Sequence, residues 1–142
     1  MSWRILFREE RCIACGACAV ACMDQKDLAE PLRRCYTEER GRGAAVMMTY
    51  RSDSCLHCGD APCLRACGRG CITRDEDTGF LVYDNGACIG CGRCRAACPV
   101  GAPVMIEGKM HKCDGCAERV KAGLLPACVK VCPMEALALV KA

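Results

Sequence analysis

Sixteen of the eighteen cysteines in this 142-residue chain fall into four groups of four. Each group opens with C-x2-C and closes with C-x3-C. The first group (Cys12, Cys15, Cys18, Cys22) and the third (Cys88, Cys91, Cys94, Cys98) share the spacing C-x2-C-x2-C-x3-C. The second (Cys55, Cys58, Cys63, Cys67) has four residues in its middle spacer, and the fourth (Cys113, Cys116, Cys128, Cys132) has eleven. The second and fourth therefore read as the first with a loop inserted. Cysteine makes up about 13% of the chain, above the roughly 8–10% that marks a chain organised around its thiols. Phe, Tyr and Trp total only six, too few for an ordinary core of this size. Something other than side-chain packing has to fill the interior.

Three chemistries use cysteine at this density: disulfides, zinc sites and iron–sulfur clusters. The N-terminus, "MSWRILFREERC", carries charges at positions 4, 8, 9, 10 and 11 and has no apolar core of signal-peptide length. No apolar run approaches the roughly 18 residues of a membrane helix. The chain thus reads as a cytoplasmic protein without a direct membrane anchor, in a reducing compartment where structural disulfides are rare. Structural zinc uses two well-separated pairs of ligands. The run C-x2-C-x2-C-x3-C-P is that of bacterial [4Fe–4S] sites, in which the fourth cysteine serves the other cluster. The spacing therefore favours four [4Fe–4S] clusters, with a structural zinc interaction protein as the remote alternative. A net charge of +3, with acids interleaved among the bases, gives no nucleic-acid footprint.

The closing C-x3-C puts two cysteines on one face of a short helix, so "CAVAC", "CLRAC", "CRAAC" and "CVKVC" are expected to be helical. Pro99 and Pro133 stop two of these helices; Gly68 and Met23 stand at the same place in the other two. Gly16, Gly90, Gly92 and Gly115 lie inside the ligand loops, where a positive φ lets the backbone approach a cluster and point N–H groups at sulfur. "WRILF" and "LALV" are expected to pair as strands, and "AVMMTY" (45–50) and "GFLVY" (79–83) to form strands before the second and third groups. Residues 24–43 read as a solvated surface connection and a candidate docking surface. Within it Cys35 is expected to be an exposed free thiol. Cys71 aligns with Ala102 and Ala136 and reads as a small buried residue in an alanine slot. His57 and His111 read as local hydrogen-bonding or surface residues, since sixteen cysteines suffice for four clusters.

With all four groups in hand, the chain resembles the four-cluster iron–sulfur subunits of molybdenum and tungsten oxidoreductases, of the dimethyl sulfoxide reductase type. It is also similar to the small subunits of tungsten aldehyde oxidoreductases. The resemblance runs from "CIACGACAVAC" through "CLHCGDAPCLRAC" and "CIGCGRCRAACPVGAP" to "CDGCAERVKAGLLPACVKVCP". It implies that Cys12, Cys15, Cys18 and Cys132 hold one cluster, and Cys113, Cys116, Cys128 and Cys22 a second. Cys55, Cys58, Cys63 and Cys98 would hold a third, and Cys88, Cys91, Cys94 and Cys67 a fourth. The implied fold is α+β, small and loop-rich, with short β-ribbons and short helices. Two ferredoxin-like halves would form one domain over 1–142, the inner half (51–107) inserted in the outer (1–50 plus 108–142). One departure is "CGRGC" (67–71), where the family has Cys-Pro-x-Gly-Ala. Longer relatives continue past the fourth group into extra structure or a membrane anchor.

The function so implied is a non-catalytic relay of single electrons in a hetero-oligomer. It would run between a catalytic molybdenum or tungsten subunit, aldehyde- or formate-type favoured, and a second redox partner such as a flavoprotein or ferredoxin. A free-standing polyferredoxin and a subunit of a hydrogenase or carbon monoxide dehydrogenase are the alternatives. Each oxidised cluster with four thiolates carries roughly −2, so four would move the chain from +3 to about −5.

Overall fold

The computed structural model describes residues 2–142, and its elements are as short as the spacing of the cysteine groups allows. Strand β1 (Trp3–Phe7) pairs antiparallel with the last strand, β8 (Leu137–Lys141), in register from Trp3↔Lys141 to Phe7↔Leu137. This is the expected pairing of the two apolar runs, and it brings the chain ends together. The Lys141 ammonium lies 5.6 Å from the centre of the Trp3 ring, a cation–π contact that holds the open end.

Helices α1 (Ala17–Lys26), α2 (Pro62–Ala66), α3 (Arg93–Ala97) and α5 (Ala127–Val131) carry the third cysteine of each group, as expected. Three of them stop after five residues, with Cys67, Cys98 and Cys132 as C-caps. α1 runs for ten residues because Met23, a good helix former, follows Cys22, where the other groups have Pro99, Pro133 or the poor helix former Gly68. It ends at Asp27, in a left-handed conformation at φ 51°. Five-residue helices are not stable alone; α1 packs on α5 and α2 on α3. Helix α4 (Ala117–Lys121) lies in the eleven-residue spacer of the fourth group.

The remaining strands form three hairpins. β4 (Ile72–Arg74) pairs with β5 (Leu81–Tyr83), which falls in the run expected to be a strand. β6 (Val104–Ile106) and β7 (Lys109–His111) are joined by Glu107 and Gly108, both at positive φ, a turn suited to the twist of a two-residue hairpin. β2 (Arg34–Arg40) pairs with β3 (Met47–Asp53) over seven residues. The reading of 24–43 as a plain connection is therefore corrected: its second part is a strand. Most of β2 is solvated, while five of the seven residues of β3 are half-buried or buried, so β2 itself needs no apolar alternation. Backbone pairing with β3, together with Tyr36 and Thr37, is enough.

Two small cores result. One gathers Ile72, Leu81 and Met110 with Cys63, Cys71 and Cys94. The other gathers Leu137 with Cys18 and Cys128, flanked by Ile5, Phe7, Cys35 and Val129. Cysteines are thus the centre of both. Among the described residues, no helix is long and apolar enough to cross a membrane.

Candidate metal centres

The repeat in the sequence reappears as a repeat of hydrogen bonds to sulfur. In every C-x2-C loop the N–H two residues after the first cysteine donates to its Sγ: Ala14 to Cys12, His57 to Cys55 and Gly90 to Cys88 at 3.4 Å, and Gly115 to Cys113 at 3.3 Å. The four donors all have positive φ, between 49° and 70°. At the other end of three groups, the N–H four residues on donates to the last cysteine: Cys71 to Cys67 at 3.4 Å, Ala102 to Cys98 and Ala136 to Cys132 at 3.3 Å. The first group lacks this bond because α1 continues past Cys22. Such N–H groups favour thiolate over thiol.

Cysteines far apart in the chain line common hollows. Cys12, Cys15 and Cys18 share one of about 330 Å³ with Cys132. Cys88, Cys91 and Cys94 share one of about 350 Å³ with Cys67. Cys113, Cys116 and Cys128 share one of about 330 Å³ with Cys22. The other four sense one another electrostatically. Burial raises the Cys58 and Cys63 thiols above their ordinary value, and negative charge at Cys55 and Cys98 adds to it.

The donor chemistry fits a cluster better than a single ion. A tetrahedral zinc site with Zn–S of 2.3 Å draws its sulfurs to about 3.8 Å from one another. Among the described residues, no three His, Cys, Asp or Glu side chains converge in that way. Thiols spread around a mostly apolar hollow, with N–H groups aimed at sulfur, suit the corners of a cubane.

Burial, before any other cause, pushes Cys128 up to about 12 and Cys22 up to about 11, and the charge of Cys113 adds in both cases. Binding either residue to a metal as thiolate would have to offset this burial cost. Two buried cations oppose that cost. Arg33, 5% exposed, donates to the Ser52 carbonyl at 2.9 Å and to Ser54 Oγ at 2.8 Å. Its charge acts on Cys128, Cys113 and Cys18, and so on two hollows at once. Lys112 is fully buried and donates to the carbonyls of Leu81 and Cys113. At Cys55, burial alone would raise the thiol, yet a hydrogen bond from His57 and the charge of Lys112 outweigh it and leave the thiol below its ordinary value.

Cys71 is 4% exposed and sits in the slot that Ala102 (8%) and Ala136 (2%) fill elsewhere, as expected. Cys35 is not the exposed thiol its charged neighbours suggested. It is half-buried, packs on the Cys18–Cys128–Leu137 core and lines the Cys12 hollow. Pairing in β2 turns it inward, which its charged neighbours in sequence do not reveal. His111 is locally bonded, to Tyr83 Oη at 3.2 Å and Asn85 Nδ2 at 3.3 Å. His57 reaches beyond its loop, to Cys113 Sγ at 3.7 Å.

Comparison with known proteins places these features in a family. A family model described as a 4Fe-4S dicluster domain matches residues 46–142. The B subunit of anaerobic dimethyl sulfoxide reductase from Escherichia coli (strain K12) is 43% identical over 139 residues, covering 89% of this chain and 67% of that protein. The thiosulfate reductase electron transfer subunit of Salmonella typhi is 40% identical over 140 residues, covering 94% and 72%. The nitrate-inducible formate dehydrogenase iron-sulfur subunit of E. coli is 32% identical over 149 residues, covering 89% of this chain and only 50% of that protein. This protein belongs to the family of ferredoxin-type [4Fe–4S] electron-transfer subunits of oxidoreductases that includes the B subunit of dimethyl sulfoxide reductase.

Proposed function

We propose that the chain relays single electrons between a catalytic molybdenum or tungsten subunit and a second redox partner, a flavoprotein or ferredoxin, within a cytoplasmic hetero-oligomer. The observation that carries this reading is the mixing of groups. Each of the three hollows takes three cysteines from one group and one from another, 21 to 120 positions away by the numbering. The four proposed ligand sets are Cys12, Cys15, Cys18 and Cys132; Cys22, Cys113, Cys116 and Cys128; Cys55, Cys58, Cys63 and Cys98; and Cys67, Cys88, Cys91 and Cys94. On this reading the sets divide into an outer half (1–50 plus 108–142) and an inner half (51–107).

The clusters, when bound, supply the one-electron chemistry. The chain's own residues hold the thiolates, exclude water from the buried sets and aim N–H groups at sulfur. All four sets are complete in cysteine, so none leaves a ligand position for a substrate. The names of the relatives favour a sulfoxide, thiosulfate or formate type of partner; an aldehyde-type tungsten partner rests on the family resemblance. The test is metal analysis of the complex that co-purifies, without oxygen, with the tagged chain. The reading expects about sixteen Fe per chain together with Mo or W. Iron alone would favour a free polyferredoxin, nickel a hydrogenase or carbon monoxide dehydrogenase partner, and zinc without iron would overturn the cluster reading.

A further inference from the structure

His57 occupies an unusual position between two of the four sets. It stands inside the loop from Cys55 to Cys58, at φ 49°, with its backbone N–H on Cys55 Sγ at 3.4 Å. Its ring leaves that loop and reaches a group that begins 56 residues on, with Nε2 at 3.7 Å from Cys113 Sγ. The tautomer follows from the other nitrogen. The Leu81 N–H donates to Nδ1 at 3.0 Å, so Nδ1 is the acceptor and the ring proton sits on Nε2, facing sulfur. The ring is held in this pose by Phe80, fully buried, at 4.7 Å between centroids. Leu81 is held from its other side too, since its carbonyl accepts from Lys112, which also bonds the Cys113 carbonyl. One residue therefore donates to a thiolate of the Cys55 set through its backbone and to a thiolate of the Cys113 set through its side chain.

We infer that His57 is a positioning residue that couples the Cys55 and Cys113 sets and raises the reduction potential at the Cys113 set by donating its Nε2–H to Cys113 Sγ. The inference rests on the ligand sets proposed above. Hydrogen bonds to cluster sulfur stabilise the more negative, reduced state and are one of the levers on potential. Bonds to charged acceptors are the stronger kind. The step they govern moves one electron between two sets, with no bond made or broken and no proton transferred.

Two replacements separate the bond from the fold. His57→Asn keeps a residue that tolerates positive φ, and its Oδ1 can accept from the Leu81 N–H as Nδ1 does. It is too short to reach Cys113. His57→Gln places its amide nitrogen near the position of Nε2 and restores the donor. Both are measured in the loaded chain within its complex, by potentiometric titration followed by electron paramagnetic resonance, with iron counted in the same samples. Signals are assigned with Cys113→Ser, Cys15→Ser and Cys91→Ser. At a fixed potential, His57→Asn is expected to lower the reduced-to-oxidised ratio at the Cys113 set about tenfold, equivalent to about 59 mV for one electron. The Cys12 and Cys88 sets should stay within twofold, and His57→Gln should recover most of the loss. A change under threefold at the Cys113 set, an equal change at all sets, or no recovery in His57→Gln would overturn the inference. Failure of the ligand reading looks different: the unaltered chain would then hold fewer than about sixteen Fe, or Cys113→Ser would leave every signal in place.

Discussion

Replacing Gly115 with alanine tests how tightly the fourth loop is built against the rest of the fold. Gly115 sits at φ +69°, and a Cβ there would lie 2.3 Å from both Cγ and Cδ2 of Phe80. Carbon atoms prefer about 3.5–4.0 Å, so the ring would have to retreat by more than about 1 Å. It has nowhere to go: Phe80 is fully buried and packs at a tilt against the His57 ring. The left-handed backbone adds about 1–2 kcal/mol for a residue with a Cβ, and overpacking adds about 1–3 kcal/mol. The total is about 2–5 kcal/mol. Gly16 is the control. It also has positive φ, +79°, but a Cβ there meets nothing within 4 Å, so Gly16→Ala carries the backbone cost alone. Loss of cluster absorbance in urea, followed without oxygen, compares the two by midpoint. With a slope of about 2 kcal/mol per M, the Gly115→Ala midpoint should fall on the order of 1 M below that of Gly16→Ala. Trimming the ring in Gly115→Ala/Phe80→Leu should recover part of the difference, since residues in contact are not additive. Equal midpoints for the two alanine variants, or no recovery in the double variant, would refute the reasoning.

Other changes have equally definite outcomes. Lys112→Met removes the buried ammonium and leaves the Leu81 and Cys113 carbonyls without that donor. At about 1–3 kcal/mol for each buried group left unpaired, the thermal midpoint should drop by several degrees, and an unchanged midpoint would contradict the burial. Asp75 bonds Lys121 at 2.5 Å and accepts from the Thr78 N–H and hydroxyl, both at 2.9 Å. Burial alone would raise its carboxyl, but Lys121 and Thr78 outweigh that and hold it below the ordinary 3.8. A depressed carboxyl contributes stability that is fully present above 3.8 and lost only as pH falls through the lower folded value. The stability deficit of Asp75→Asn should thus stay constant from pH 8 to pH 5, and a deficit that shrinks within that window would reverse the assigned direction. Cys35→Ala and Cys71→Ala should keep the full iron count, because neither belongs to the proposed ligand sets; iron lost from either would add that thiol to a set.

Much of the architecture was legible because the ligand spacing is also a structural code. The i, i+4 cysteines required helices, and Pro99 and Pro133 marked where two of them end. Met23 is a good helix former where the other groups have proline or glycine, which is why α1 alone continues. The apolar runs at 3–7 and 137–140 pair because each lies beside a cysteine group with no other apolar partner nearby in sequence. What stayed hidden depends on contacts between distant segments. β2 has charged residues along most of its length and is stabilised by pairing with β3, so it carries no periodic signal. Arg33 and Cys35 lie in the same charged stretch and turn inward only because β2 pairs with β3, which sets Cys35 beside the Cys12 hollow and Arg33 on Ser52. The direction of the His57 ring is set by a left-handed loop and by the Leu81 N–H on another strand. Neither is written in "CLHC". Conversely, the alanine slot of Cys71 was readable by aligning the groups with one another, since the same N–H···S bond recurs at Ala102 and Ala136.

The central claim is that cysteines of different groups share a cluster, and Cys22 tests it most directly. By sequence it belongs with Cys12, Cys15 and Cys18; by position it lines the hollow of Cys113, Cys116 and Cys128. Electron paramagnetic resonance of the reduced chain, compared among Cys22→Ser, Cys116→Ser and Cys15→Ser, reads the pairing. The account predicts that Cys22→Ser alters the same signal as Cys116→Ser and leaves the signal altered by Cys15→Ser unchanged. If Cys22→Ser instead altered the Cys15 signal, each group would hold its own cluster and the cross-paired arrangement would be wrong.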